Sequence, residues 1–448
     1  MNIFRLCLLS AMAVPAIARE PLTHLHAVQQ ALKTSPVIQA ATERERAAEY
    51  ALWEAIGYRL PSVQLMEMGV RTTNPAESFA FTMNQERFSM AQFADPARDP
   101  NNPDASNTYV TRAEASLPIF TGGMLHARTR QAKFMLDAAR ADRRWAEHEV
   151  TFHTIEGWLN LTRARENVDL MERSLETART HLRQTQDYRD AGLIVPSDVL
   201  RAEVYVSELE EWRVRAINGE RLAQAALNFA MGVPQTNSYS TGDLPAIDSL
   251  QVELETWLEA ADQRRPDLQA ARLKTKAVAK EKSVSLAGFL PEIGIVGRYD
   301  LYDDEVFGDN GESWALMGVA KWNIFRGGVD YANWQRNRHT ARAHQSDVSR
   351  FREGVALEVR QAFGDHTAAR LRQSAAAKTR QSGRENLRII EERYQQGVVK
   401  ITDLLDAQTA LRELEVRELE ARYDYNLSWY RLRLAAGESP IEIATEEQ

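Results

Sequence analysis

The stretch His148-Glu149-Val150-Thr151-Phe152-His153 holds the residue types of a zinc-hydrolase helix, two imidazoles around a carboxylate. That chemistry needs the histidines four apart, so that both rings leave one helix face. Here the second histidine comes one residue too late and is rotated away, so the pair reads as solvated helix histidines. His339 and His344 share the same unsuitable spacing. No glycine-rich phosphate loop, nucleophile elbow or Cys/His cluster is present. The sequence predicts no catalytic constellation, no metal and no cofactor; the chain does not read as an enzyme.

Two aspartates follow glycine turns. Gly192-Leu193-Ile194-Val195-Pro196-Ser197-Asp198-Val199-Leu200 is matched by Gly397-Val398-Val399-Lys400-Ile401-Thr402-Asp403-Leu404-Leu405. Asp403 stands at about the distance from its glycine that a helix N-cap would take, and Ser197 and Thr402 are further capping candidates. The match belongs to a duplication of the whole chain, the pattern that must be found before any other. Leu117-Pro118-Ile119-Phe120-Thr121-Gly122-Gly123 returns as Trp322-Asn323-Ile324-Phe325-Arg326-Gly327-Gly328, and Phe120/Phe325, Gly192/Gly397, Asp198/Asp403 and Gly232/Gly437 share one offset. Upstream, Ser35-Pro36 matches Arg265-Pro266 and Leu60-Pro61 matches Leu290-Pro291 at a larger offset. The first repeat therefore carries extra residues between Pro61 and Leu117. The Pro/Asn/Asp-rich stretch Asp95–Asp104 is expected to be a loop that accounts for most of them.

The elements that must position these residues follow from periodicity. Ile293, Ile295, Gly297, Tyr299 and Leu301 alternate with Glu292, Gly294, Val296, Arg298 and Asp300, which predicts a strand with one apolar and one wet face. Trp314 to Trp322 predicts a second, and Arg112, Glu114 and Ser116 against Ala113, Ala115 and Leu117 predict the matching strand of repeat one. The strand after Pro61 is the least clear, because Met66, Met68 and Val70 share a face with polar neighbours. Tyr58, Tyr109, Tyr299 and Trp322 at strand ends fit an interfacial aromatic girdle. Four strands cannot close a barrel, and open edges in lipid would leave backbone groups unpaired, so strands that enter a membrane must be shared among several chains. Met124–Asp190 has no proline and one internal glycine, Gly157, which predicts a single helix roughly 100 Å long. Val329–Gln396 is an equal run. Val168, Met171, Leu175, Ala178 and Leu182, like Leu404, Ala407, Leu411 and Leu414, step by three and four as coiled-coil seams do.

Residues 1–18 read as a secretory signal: Arg5, an apolar run Leu6–Val14, and Ala16-Ile17-Ala18 before a cleavage point at Arg19. Cys7, the single cysteine, sits too early to be a lipidated residue after cleavage, and no disulfide is expected. The remaining domains are repeat one (19–232), a Pro/Gly/Ser/Thr linker (233–245), repeat two (246–437) and a tail (438–448). The net charge of −8, with Arg and Glu mixed along the chain, argues against a nucleic-acid partner.

Nearly the whole mature sequence resembles the TolC-like outer-membrane efflux proteins. The likeness is carried by Gly192 with Pro196–Glu203, by Tyr394-Gln395-Gln396-Gly397 with Ile401–Ala407, and by two Phe-x-Gly-Gly strand ends. It implies an α+β membrane protein in which each protomer gives four strands to a shared trimeric twelve-stranded barrel, followed by a coiled-coil tunnel across the periplasm. It implies barrel–helix junctions at Phe120, Gly122, Gly123, Phe325, Gly327 and Gly328, and tip turns at Gly192, Leu193, Ile194, Gly397 and Val398 that meet a periplasmic adaptor. Asp198, Tyr394, Val399, Asp403 and Asp406 fall at the gate positions, with Val399 standing where the family usually has an arginine latch. Three copies of Asp403 and Asp406 about a narrow axis would form a cation-favouring carboxylate ring. The function implied is a passive exit duct for efflux or type I secretion, lodged in outer-membrane lipid of a Gram-negative cell, energised by an inner-membrane pump or secretion ATPase and opened at its tip by the adaptor. A periplasmic coiled-coil adaptor is the alternative, since long helices alone would look the same.

Overall fold

The structure is a computed structural model and describes residues 21–93, 95, 99–245, 247 and 253–441. The predicted signal segment, part of the Asp95–Asp104 stretch and most of the tail lie outside the described residues.

The duplication in the sequence is a duplication of elements. Repeat one runs α1 (His24–Thr34), α2 (Pro36–Gly57), β1 (Ser62–Thr72), β2 (Ser106–Thr121), α5 (Met124–Asp190) and α6 (Pro196–Met231). Repeat two runs α7 (Leu254–Arg264), α8 (Pro266–Leu286), β3 (Glu292–Asp303), β4 (Gly311–Lys321), α9 (Val329–Gln395) and α10 (Ile401–Ala435). Both long helices, α5 and α9, have 67 residues. Neither contains a proline, so nothing removes a ladder donor along roughly 100 Å of helix. The extra residues of repeat one are not mainly a loop as the sequence suggested. They include two helices, α3 (Pro75–Asn84) and α4 (Met90–Phe93), the first nucleated by Asn74, whose Oδ1 accepts from the backbone N–H of Ala76 at 3.0 Å.

Glycine fixes the corners in matched pairs. Gly122 and Gly327 have φ of 62° and 61°, Gly123 and Gly328 both 83°, Gly192 and Gly397 73° and 71°, Gly232 and Gly437 68° and 77°. Each of the last four closes a helix with two reversed bonds: Leu193 N–H donates to Tyr188 O, Val398 N–H to Arg393 O, Val233 N–H to Asn228 O and Glu438 N–H to Arg433 O, all within 3.0 Å. This is the left-handed Schellman ending, which a side chain would strain. Gly232 and Gly437 are also hemmed in. A Cβ on Gly232 would meet Thr34 O at 2.8 Å, and one on Gly437 would meet Arg265 N at 2.6 Å. The corners they lie against are the α1–α2 and α7–α8 junctions, where Pro36 and Pro266 force the preceding residue into extended backbone and start the next helix.

The chain divides into two compact units that do not coincide with the sequence repeats. One holds 1–41, 144–265 and 354–448; the other holds 42–143 and 266–353. The core of the first gathers Ala27, Val28 and Ala31 of α1, Ile155 and Trp158 of α5, Leu227 of α6 and Tyr423 of α10. Trp158 is fully buried, and its indole N–H is satisfied by Leu22 O at 2.7 Å. Along the α5–α6 seam, Leu175 and Ala178 bury against Tyr205, Val206 and Leu209. The linker is pinned to this unit: Asn228 donates to the carbonyls of Gln235 and Asn237, and Arg165 to that of Tyr239.

The second unit contains an antiparallel sheet in the order β1-β2-β3-β4. Strands of 11, 16, 12 and 11 residues reach roughly 35 Å or more, enough to cross a bilayer at the tilt of a barrel strand. The β2–β3 register slips between Pro118 and Phe120; Pro118 has no N–H to give the ladder, and a bulge absorbs it.

Candidate channel surfaces and helical tips

The register sorts the strand residues into two faces. Val63, Leu65, Ala113, Ala115, Leu117, Ile293, Ile295, Leu301, Leu316 and Ala320 project to one side, with Tyr299 opposite Trp314 among them. Leu316 is 71% exposed and Trp314 77%; toward the hairpin end the same side carries Glu67 and Glu312, which accept from the hydroxyls of Thr111 and Tyr299, and the rest is an apolar sheet face that water would not tolerate over such an area. Tyr299 therefore sits inside β3, not at a strand end as expected, while Trp322 lies past β4 and donates its indole N–H to Phe289 O at 3.2 Å. The other face carries a polar belt. Arg112 holds Asp300 by two bonds of 2.6 and 3.1 Å, Arg298 stands 3.5 Å from the same carboxylate, and Tyr302 donates to it at 3.3 Å. One row nearer the helices Gln64 donates to Glu114 at 3.1 Å, and in the row after that Ser62 pairs with Ser116 at 2.8 Å. Met66, Met68 and Val70 lie on this polar side, which is why β1 read poorly in isolation. The alternation had placed Arg112, Glu114, Arg298 and Asp300 on a wet face; only cross-strand register shows that Arg112 and Arg298 converge on Asp300.

The two glycine pairs at the Phe-x-Gly-Gly motifs stand between β2 and α5 and between β4 and α9. Gly122 is pressed against the short 3-10 turn Ala287–Phe289: an added Cβ would meet Ala287 O at 2.9 Å. Phe325 is left 83% exposed. Arg326 pairs with Asp330 in the first turn of α9.

At the far end of the long helices, Tyr394 is the centre of an apolar cluster with Ile401 and Leu404, packed by Tyr188, Leu387, Ile390, Val399 and Leu405. Its hydroxyl lies 3.3 Å from Thr185 Oγ1 of α5, so Tyr394 joins the two repeats within one chain. Burial raises the phenol pKa, the Tyr188 ring and the Asp198 carboxylate push the same way, and the Thr185 hydrogen bond opposes them. The structure thus brings Tyr394 and Asp198 within electrostatic reach. Val399, half-buried in this cluster, does the work of a packing residue and carries no donor for a latch. Asp403 and Asp406 are exposed on α10. The expected capping roles shift by position: Val195 and Lys400 are the N-caps, Ser197 and Thr402 cap neither helix, and Asp403 reaches back from the first turn to accept from Lys400 N–H at 3.1 Å. Leu193 and Val398, at the turns, are 71% and 68% exposed.

Among the described residues no group of three or more His, Cys, Asp or Glu could hold a metal ion, and no helix is long and apolar enough to cross a membrane. The feature suited to lipid is the apolar sheet face.

A four-stranded sheet with one apolar and one charged face, set between proline-free helices of 67 residues, defines a class of membrane channel protein built by duplication. Comparison with known proteins says which: the outer membrane efflux protein family model matches residues 27–233 and 257–438, and the chain belongs to that family. It is 21% identical over 352 residues to the alkaline protease secretion protein AprF of Pseudomonas aeruginosa, covering 75% of this chain and 72% of AprF. It is 23% identical over 315 residues to the outer membrane protein TolC of Vibrio cholerae, covering 67% and 70%. In three dimensions it superposes on the CmeC outer membrane channel of Campylobacter jejuni with a TM-score of 0.78 at 18% identity, over 99% of this chain and 95% of that one. The protein is an outer-membrane exit duct of the efflux and secretion type. The family consists of channel proteins, and the coiled-coil adaptor alternative is set aside.

Proposed function

We propose that three copies of the chain close a twelve-stranded barrel, β1 of one protomer pairing with β4 of the next. The observation that carries this reading is the sheet itself, with unpaired edges at β1 and β4, an apolar face and a charged face. In lipid those edges leave backbone groups unsatisfied at several kcal/mol each, and closure removes them. The apolar face then meets lipid, and the Arg112–Asp300 belt lines water. In this arrangement the Gly192 and Gly397 turns are the periplasmic tips, and their exposed Leu193 and Val398 offer apolar knobs to a periplasmic adaptor. Asp403 and Asp406 form the carboxylate ring at the constriction. The Tyr394 cluster clasps the two tips of each protomer together, in place of an arginine latch at Val399. Opening is an iris-like parting of the tip helices once the adaptor binds, and cargo is chosen by the inner-membrane pump or secretion ATPase. AprF is named for protease secretion, a cargo that suits a water-filled duct.

The test is single-channel conductance in a planar bilayer. The parent is expected to show small cation-selective openings, and Asp403→Ala with Asp406→Ala to lose that selectivity. Unchanged selectivity in the double variant would remove the carboxylate ring, and absence of any conductance would remove the duct.

A further inference from the structure

The insert between β1 and β2 does not extend away from the strand ends; it folds back over one face of the sheet. Four contacts fix which face. Gln85 is 5% exposed, and its amide donates to Thr108 Oγ1 at 3.0 Å and to Asp303 O at 3.2 Å. Ser78 Oγ, on α3, accepts from Ser106 Oγ at 3.3 Å. A Cβ on Gly311 would meet Asn84 O at 1.9 Å, so the insert backbone crosses β4 where there is no side chain. Arg87, just beyond α3, pairs with Asp304 at 2.6 Å. Ser106 and Thr108 share a side of β2 with Val110 and Arg112, and Gly311 lies opposite Tyr302 on the side of Asp300. This is the charged face. Its hairpin end is accordingly dry: Thr108 and Val110 are 1% exposed, Asp300 is fully buried and Tyr302 is 7% exposed.

We infer that α3 and residues 84–88 form a constriction inside the outer mouth of the barrel, a second barrier in series with the tip. The inference rests on the charged face being the lumen, as proposed above. Its force comes from size. Twelve strands about 4.8 Å apart and tilted about 40° make a backbone cylinder about 24 Å across. Three helices each about 10 Å wide need a circle of about 22 Å. Three copies of α3 laid on the inner wall therefore leave little open area. The surface the insert turns outward is mixed: Phe79 and Met83 are 41% and 50% exposed, Glu77, Asn84, Glu86 and Arg87 are exposed beside them, and Phe79 is braced edge-on by Phe88 at 5.4 Å. A narrow neck, whatever its polarity, passes small solutes in preference to large ones. The specificity this gives the duct is for size at its exit, independent of the charge filter at its tip.

The experiment places a cysteine at Ser116, on the charged face beyond the insert's contacts, in full-length protein with Cys7 changed to serine, in intact outer membranes. It is challenged from outside with a small membrane-impermeant maleimide and with the same group on a wide polyethylene glycol chain. With the native insert the small reagent should label and the large one should not; replacing residues 75–88 by a short Gly-Ser linker should raise the large reagent's rate roughly tenfold or more. Should the linker variant fail to assemble, Gln85→Ala, which removes only the buried amide, should raise it in the same direction. Equal labelling by the large reagent with and without the insert overturns the constriction while leaving the duct intact. Failure of the small reagent to label any variant overturns the lumen assignment, and the inference with it.

Discussion

His366 is a residue whose chemistry the fold alters in the range of physiological pH. It stacks on Tyr425 with ring centroids 5.1 Å apart, its Nδ1–H donates to Ser428 Oγ at 2.9 Å, and Ser428 in turn donates to Tyr425 O. Burial, helped by the Arg370 charge, holds its pKa below the ordinary 6.5. The folded-state value is thus the depressed one for a cation, and the unfolded chain binds a proton that the folded chain refuses. Stability is then lost as pH falls below about 6.5 and the loss saturates below the folded pKa. His366→Gln, which keeps a donor toward Ser428, should flatten the fall of the thermal midpoint between about pH 7 and pH 5; an unaltered slope would assign the fall to other groups, such as the half-buried His24. The glycines make a second residue-scale contrast. Gly192→Ala and Gly397→Ala face open space and should cost about 1 kcal/mol each for left-handed backbone alone. Gly232→Ala and Gly437→Ala also drive a Cβ into backbone, and should cost about 3 kcal/mol or more each. Denaturation midpoints of the four variants compare the two classes directly.

The sheet is where element-scale reasoning has most to say. One residue of register separates the lipid side from the water side. Leu316 and Ala315 are neighbours at the middle of β4 and lie on opposite faces. Leu316→Arg should cost about 2–4 kcal/mol at bilayer depth, whereas Ala315→Arg, on the charged side, should cost little. Folding titrations into detergent or lipid would show the difference, and equal costs would remove the assignment of faces. Alternation made β3 legible in the sequence, because both its faces obey the pattern. It failed for β1, whose lumenal side carries Met66, Met68 and Val70 among polar neighbours, since a water-filled barrel wall tolerates thioethers and aliphatic groups as easily as amides. The long helices were legible almost to the residue: absence of proline and the Gly122-Gly123 and Gly327-Gly328 corners leave the backbone few alternatives. Helix α3 was missed because it is short, is held by contacts distant in sequence such as Gln85 to Asp303 O, and has no counterpart in repeat two.

At the scale of the molecule, composition and above all the matched offsets of Phe120/Phe325, Gly192/Gly397, Asp198/Asp403 and Gly232/Gly437 were enough to determine a duplicated chain of strands and very long helices. They also identified the turns on which a tip gate is proposed. These are local matters: where the backbone must turn left-handed, where a proline starts a helix, where polarity alternates. What tertiary structure decided is non-local. It paired Arg112 with Asp300, drew Tyr394 into a cluster with Val399 and onto Thr185, moved the N-caps to Val195 and Lys400, and laid α3 on the charged face. It also divided the chain into compact units that each take segments from both repeats, because the helices of one repeat bury their apolar stripes against the helices of the other. The periodicity of a stripe is written in sequence; the surface that covers it is set only when distant segments meet.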